Sequence, residues 1–306
     1  MSQVETIQLD TNGWVFAITV DGRRIVQCDY EGEAVLRKVD PHDEYILNAS
    51  SFPVGPYCNR IESGQAEFEG TRINLSPNLL DRQGKPLDPS SMIGVGWTHK
   101  WHISQKRDNS VEFTLPYSPE DGQWPWFCTM KQKFLFNRNA MEITSTLTNT
   151  DDHFMPGGLG IHFYWHREPG TKVFADIEDM WEMRPGVIPT GRLVPLPADQ
   201  DFAGGLNVDG REMDNCYPLP DGKFIIERPN VSNRHCVVES DEQTRQVIVY
   251  TTQKESPSGP AGNILVIYPN THVNNAVNMR GRKDTGMWVL RSGEAGKSVT
   301  RVTVQP

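Results

Sequence analysis

The sequence predicts an all-β protein, a large antiparallel β-sandwich, and three observations carry that prediction. Apolar residues recur with a period of two rather than 3.6. Turn-forming pairs (Asn12-Gly13, Asp21-Gly22, Asp221-Gly222) and the cluster Pro257-Ser258-Gly259-Pro260 punctuate the chain. The 26 Gly and 22 Pro, with no long amphipathic helical stretch, favour many short strands joined by irregular loops.

The elements follow in order. Residues 14–20 open a β-rich start. Residues 140–148 alternate, with Met141, Ile143 and Leu147 on one face and Glu142, Thr144, Thr146 and Thr148 on the other. Residues 247–251, 263–268, 288–291 and 299–304 read as further strands, rich in β-branched side chains. Residues 79–91, with Gly84, Pro86 and Pro89, read as an exposed loop rather than a domain boundary. Large all-β sandwiches run past about 250 residues as one unit, so residues 1–306 are taken as a single domain.

Composition bounds the function. The net charge of −9 and the absence of long Lys/Arg runs argue against a nucleic-acid or anionic-membrane partner, both of which require a basic face. Five cysteines without paired spacing (Cys28, Cys58, Cys128, Cys216, Cys236) fit reduced thiols better than a disulfide framework. The first residues show neither a basic nor an apolar leader region, and no apolar run approaches the roughly 20 residues that span a bilayer. A cytoplasmic protein is expected.

The most informative strand runs through Gly158-Leu159-Gly160-Ile161-His162-Phe163-Tyr164-Trp165-His166. Alternation places Leu159, Ile161, Phe163 and Trp165 on one face. His162, Tyr164 and His166 share the other with Gly160, which leaves room beside them. An imidazole and a phenol there suit either a polar site floor or a solvated strand face. His162 and His166 would lie about 13 Å apart along a strand, too far to share one zinc. His99 and His102 would face opposite ways, so no metal is expected.

Three further segments offer ligand-binding groups. Asn59 and Arg60 follow the Pro- and Gly-shaped turn 52–58, where amide and guanidinium groups could bind ligand oxygens or stabilise the turn. Asp214 could bind two sugar hydroxyls or cap a turn. Residues 264–268 are apolar on both faces and belong inside the sandwich. Pro269 is expected to end that ladder, leaving His272, Asn274 and Asn275 to point into a cleft.

Taken together, these segments resemble the aldose 1-epimerase family, in matching order across nearly the whole chain. Gly55-Pro56-Tyr57-Cys58-Asn59-Arg60-Ile61, followed by Gly64, Phe68 and Gly70, is similar to that family's early P-Y-x-N-R-I-x-x-G…F-x-G signature. Residues 156–165 resemble its G-x-G-x-H-P-Y-F strand, residues 213–217 its L-D-x-x-F segment, and residues 263–278 its late E-P-x-[ST]…A-x-N segment. The resemblance implies a galactose mutarotase-like sandwich that takes a small carbohydrate and interconverts its α and β anomers by acid/base ring opening, without a cofactor. It implies His162 as general acid, Asp214 as a hydroxyl-binding carboxylate and Arg60 as a ligand contact, with Asn59, Tyr164, His99, Trp97 and His272 as further binding candidates. Two positions depart from the pattern. Tyr268 stands where the family carries its general-base Glu, and Ile93 where it carries a second active-site His, which His99 or His102 would have to replace. Two other functions stay open: a lyase or hydrolase of a modified glycoside, with Tyr268 and His162 as its acid–base pair, or a carbohydrate-binding protein using Arg60, Asp214 and a stacking Trp97 or Trp126.

Overall fold

Two nine-stranded antiparallel sheets carry the fold. The computed structural model describes residues 4–256, 264–279 and 281–306. The first sheet runs Thr6–Thr11, Trp14–Thr19, Ile25–Tyr30, Ser51–Val54, Gly160–Phe163, Ile264–Asn270, Gln246–Thr252 and Met213–Pro218, with Glu33–Ala34 paired beside Ile25–Tyr30. The second runs His102–Arg107, Ser110–Tyr117, Cys128–Asn137, Ala140–Asn149, Ala295–Gln305, His235–Ser240, Lys223–Glu227, Lys172–Ala175 and Leu206–Asn207. Among the described residues no helix is long and apolar enough to cross a membrane.

The period-two pattern explains how the sheets meet. In Ala140–Asn149, Met141, Ile143 and Leu147 are buried while the alternating Glu142, Thr144, Thr146 and Thr148 are half-buried, as the sequence predicts. Asn12 and Gly13 both adopt positive φ (51° and 82°), the two-residue turn that closes a tight hairpin between Thr11 and Trp14. Val247, Val249, Leu265 and Ile267 face the second sheet together with Leu159, Ile161, Phe163 and Trp165. Their alternates, including Ile248, Ile264, Val266 and Tyr268, join a second core on the far side of the first sheet with Phe52, Trp97 and Tyr164. Residues 264–268 are therefore buried on both faces, and the second core is where loops fold over the sheet.

Several expectations change. The strand predicted to stop at Pro269 continues to Asn270, still in register with Gln246. Pairing toward Gly160–Phe163 is confined to Gly160↔Asn270 and the Tyr164↔Val266 bridge, so the missing N–H of Pro269 falls where that ladder is already interrupted. Gly160 leaves no open space beside His162: a Cβ there would lie 2.3 Å from Asn270 Oδ1 and 2.8 Å from the Pro269 carbonyl oxygen. Its missing side chain lets two strands close together. The last predicted short strand ends at Leu290 rather than Arg291. The Pro257–Pro260 cluster and Asn263 lie outside the described residues.

One glycine couples the site-bearing loop to the sheet. Gly94 lies at φ 78°, and a Cβ there would sit 2.0 Å from the Gly55 carbonyl oxygen, which already accepts the N–H groups of Val95 and Gly96. Left-handed backbone and backbone contact together leave little room to relax. Gly94→Ala is expected to destabilise the fold by at least about 3 kcal/mol in urea unfolding; an unchanged midpoint would show that this contact can relax freely.

Candidate active site

The turn at residues 55–61 positions the first polar groups. Its backbone is tied down on several sides: Gly158 N–H donates to the Pro56 carbonyl at 2.7 Å, Cys58 N–H to His272 Nε2 at 3.0 Å, and Ile93 N–H to the Asn59 carbonyl at 2.8 Å. Asn59 adopts φ 53°, a left-handed conformation that asparagine tolerates better than most residues. Its side chain consequently faces inward. Asn59 Nδ2 donates to the Tyr268 hydroxyl at 2.9 Å, and its Oδ1 accepts from Arg60 Nη1 at 3.2 Å.

Arg60 extends this network. Nε donates to Asp88 at 3.1 Å and Nη2 to Asp214 Oδ2 at 3.3 Å. A continuous hydrogen-bonded chain thus runs from the Tyr268 phenol through Asn59 and Arg60 to the Asp214 carboxylate. Burial pushes the Asp214 carboxyl above the usual carboxylate range, and the adjacent guanidinium pulls the other way. Burial drives the Tyr268 phenol well above 10, outweighing the Asn59 hydrogen bond that favours its ionised form.

A column of rings forms the floor. His162 stacks on Phe52, its cross-strand neighbour, with centroids 4.4 Å apart, and lies 4.4 Å from the Tyr268 ring and 4.7 Å from that of Tyr164. Burial, reinforced by the nearby Arg37 guanidinium, pushes the imidazole down to about 3, so the ring is neutral at physiological pH. Its Nδ1 is buried and has no hydrogen-bond partner among the described residues. Arg37 itself lies over the Tyr164 ring at 3.5 Å and donates to the carbonyls of Leu47 and Ala49.

His162, Tyr268, Arg60, Asp214, Asn59 and Tyr164 all line one cavity of about 300 Å³. The other named candidates lie elsewhere. Trp97 is fully buried behind Phe52, with its indole N–H directed to the carbonyls of Met92 and Gly94, so it offers no stacking face to a ligand. Trp126 is likewise inside the main core. His99 lines a different hollow beside Tyr57 and Trp124, and His102 is exposed at the start of an edge strand. His272 is buried behind the turn, accepting from Cys58 N–H through Nε2 and facing the Val273 carbonyl through Nδ1. It supports the turn without lining the cavity. His166 lies beyond the end of its strand, 3.4 Å from Glu168. The sequence alone does not single out Asp88, Tyr250 or the wall residues of the 79–91 loop. Tyr250 was recoverable, since it shares a strand face with Ile248, but Asp88 carries no local signal.

His162 links this geometry to pH. Its unfolded imidazole takes a proton near pH 6.5 and its folded one only near pH 3, so the unfolded chain binds more protons between those values and stability falls as pH drops through that window. Between pH 6.5 and 4.5 this amounts to on the order of 2 kcal/mol. His162→Phe retains the stacked ring, and its loss of stability over that interval, measured by urea unfolding, is expected to be smaller than that of the parent by about that amount. Parallel pH profiles would contradict the neutral, buried imidazole.

A family model described as aldose 1-epimerase matches residues 5–300. An uncharacterized Escherichia coli K12 protein, YphB, is 22% identical over 225 residues, 74% of each chain. Among solved structures, a candidate aldose 1-epimerase from Escherichia coli K12 superposes with a TM-score of 0.87 at 19% identity, covering 98% of this chain and 99% of its own. A galactose mutarotase-like protein from Clostridium acetobutylicum gives 0.83 at 16% identity, covering 98% and 95%. A GalM/aldose epimerase homologue from C. elegans gives 0.81 at 18% identity, covering 98% of each chain. These likenesses bear out the galactose mutarotase-like sandwich.

Proposed function

The chain belongs to the aldose 1-epimerase family, and on that premise we propose that it interconverts the α and β anomers of a free sugar by acid/base ring opening in the cavity around His162. The observation that carries this reading is the hydrogen-bonded chain Tyr268–Asn59–Arg60–Asp214 along one cavity wall. It holds a proton donor and a proton acceptor on one rigid support.

Asp214 is assigned as the base. It is the one carboxylate lining the cavity among the described residues, and burial makes it a stronger proton acceptor than an ordinary carboxylate, while the adjacent Arg60 favours its ionised form. Tyr268 is protonated at neutral pH and cannot serve as base; it is assigned as the acid. The Asn59 amide, already donating to its oxygen, stabilises the phenolate that would develop. This departs from the role the family resemblance implies for His162, because a ring with a pKa of about 3 holds no imidazolium proton to give. His162 is assigned to the floor on which the sugar and Tyr268 rest.

The steps balance. Asp214 takes the anomeric hydroxyl proton, the bond from C1 to the ring oxygen breaks, and that oxygen takes the Tyr268 proton. The resulting aldehyde turns about its bond to C2. On reclosure the hydroxyl attacks the opposite face, returns its proton to the Tyr268 phenolate, and the carbonyl oxygen recovers the proton from Asp214. We assign the activity to the cytoplasm, with support from five free and buried cysteines.

Anomer exchange followed by NMR tests the assignments. Asp214→Asn and Tyr268→Phe are each expected to lower kcat/KM by roughly 10²- to 10⁴-fold in folded protein. Near-parental exchange in either variant would remove that residue from its role. Sugar binding by the unaltered protein without exchange above buffer would favour a binding protein instead.

A further inference from the structure

The cavity also has an aliphatic wall. Six of its fifteen lining residues are Leu47, Leu79, Leu87, Met92, Ile93 and Ile248, none of which offers a hydroxyl a strong hydrogen-bond partner through its side chain; Met92 and Ile248 sit beside Arg60 and Tyr268 across their strand pairs. Three features show that this wall is built. Leu79 and Leu87 are tied together by a hydrogen bond from Leu87 N–H to the Leu79 carbonyl at 2.9 Å, and Asp88, the next residue, is clamped by Arg60. Among the described residues Leu87 leaves 42% of its surface exposed although it lines the cavity, an apolar side chain that they do not fully cover. Ile93 is held at φ 66°, a costly conformation for a β-branched residue that its surroundings must enforce.

Charge narrows the ligand further. Arg60 is the one cationic side chain lining the cavity among the described residues, and it already carries two carboxylates, Asp88 and Asp214. One guanidinium against two carboxylates leaves a formal charge of −1, so a phosphate, sulfonate or uronate group would meet repulsion and no uncommitted cation.

Resting on the mutarotase reading above, we propose that the substrate is an uncharged deoxy sugar, one in which an apolar group faces the aliphatic wall where a common aldose carries a hydroxyl; 6-deoxyhexoses are the simplest members. A hydroxyl buried against Leu47, Leu79 and Leu87 would lose its water without gaining a side-chain partner from them, whereas a methyl group is favoured there. Apolar pockets discriminate by roughly 10- to 200-fold per such group.

The test compares matched pairs on the purified full chain: D-galactose with 6-deoxy-D-galactose, D-glucose with 6-deoxy-D-glucose, and D-galactose 6-phosphate as the charged arm. Binding is read by calorimetry and anomer exchange by NMR on the same samples. The deoxy member of at least one pair is expected to bind at least about tenfold more tightly, the phosphate ester not at all, and the exposed-site variant Leu87→Gln to shrink the preference several-fold. Equal or tighter binding of the hydroxylated members, or tight binding of the phosphate ester, would overturn the inference, whether or not exchange occurs. A deoxy preference without exchange would sustain it and remove the mutarotase reading. No binding by any of these sugars would overturn both.

Discussion

A single guanidinium organises the site. Arg60 leaves a short strand at the end of a constrained turn and reaches three chain segments at once: Asn59 beside it, Asp88 on the 79–91 loop, and Asp214 on the last strand of the first sheet. Its planar fork allows these contacts in fixed directions, which a lysine could not reproduce. Because the group is largely buried, both carboxylates are needed to offset its desolvation, and losing one partner of such a pair commonly costs about 3–5 kcal/mol. The loop that walls the cavity and the strand that supplies its carboxylate are thereby coupled.

The aromatic column complements that polar chain. Phe52, His162 and Tyr268 come from three neighbouring strands, and cross-strand register sets Phe52 directly opposite His162. Burial among these rings lowers the His162 pKa to about 3, so the imidazole is neutral at physiological pH, and in the proposed reaction it serves as surface rather than as acid. Tyr268 has the opposite fate: burial keeps its proton on, and in the proposed reaction the Asn59 amide that donates to its oxygen would stabilise that oxygen as the proton leaves. One cause, desolvation, gives two chemically different groups, and the sheet geometry puts them side by side.

Much of this was legible before any coordinates. The period-two strands, the Asn12-Gly13 hairpin and the split of residues 159–165 into a core face and a site face follow from backbone geometry alone. The meeting of His162, Tyr268, Arg60 and Asp214 did not follow from any local pattern; likeness to a family brought those four together. Trp97, His99 and His272 show the limit clearly. Each has suitable chemistry and lies near a motif, but the direction in which a loop presents its side chains depends on tertiary hydrogen bonds such as those of Trp97 to the Met92 and Gly94 carbonyls. Asp88 was hidden for the same reason, since its partner is 28 positions away and its own segment reads as plain loop.

The two departures from the family pattern acquire a common sense in this setting. In the proposed reaction a tyrosine in place of a glutamate leaves the acceptor role to the Asp214 carboxylate, and an isoleucine in place of a histidine adds to the aliphatic lining of the cavity. The most direct test is a crystal structure of the protein with a reducing sugar bound. The account predicts the anomeric oxygen within about 2.6–3.2 Å of an Asp214 carboxylate oxygen and the ring oxygen within that reach of the Tyr268 hydroxyl. A sugar seated in the same cavity with its anomeric centre turned away from both groups would contradict it.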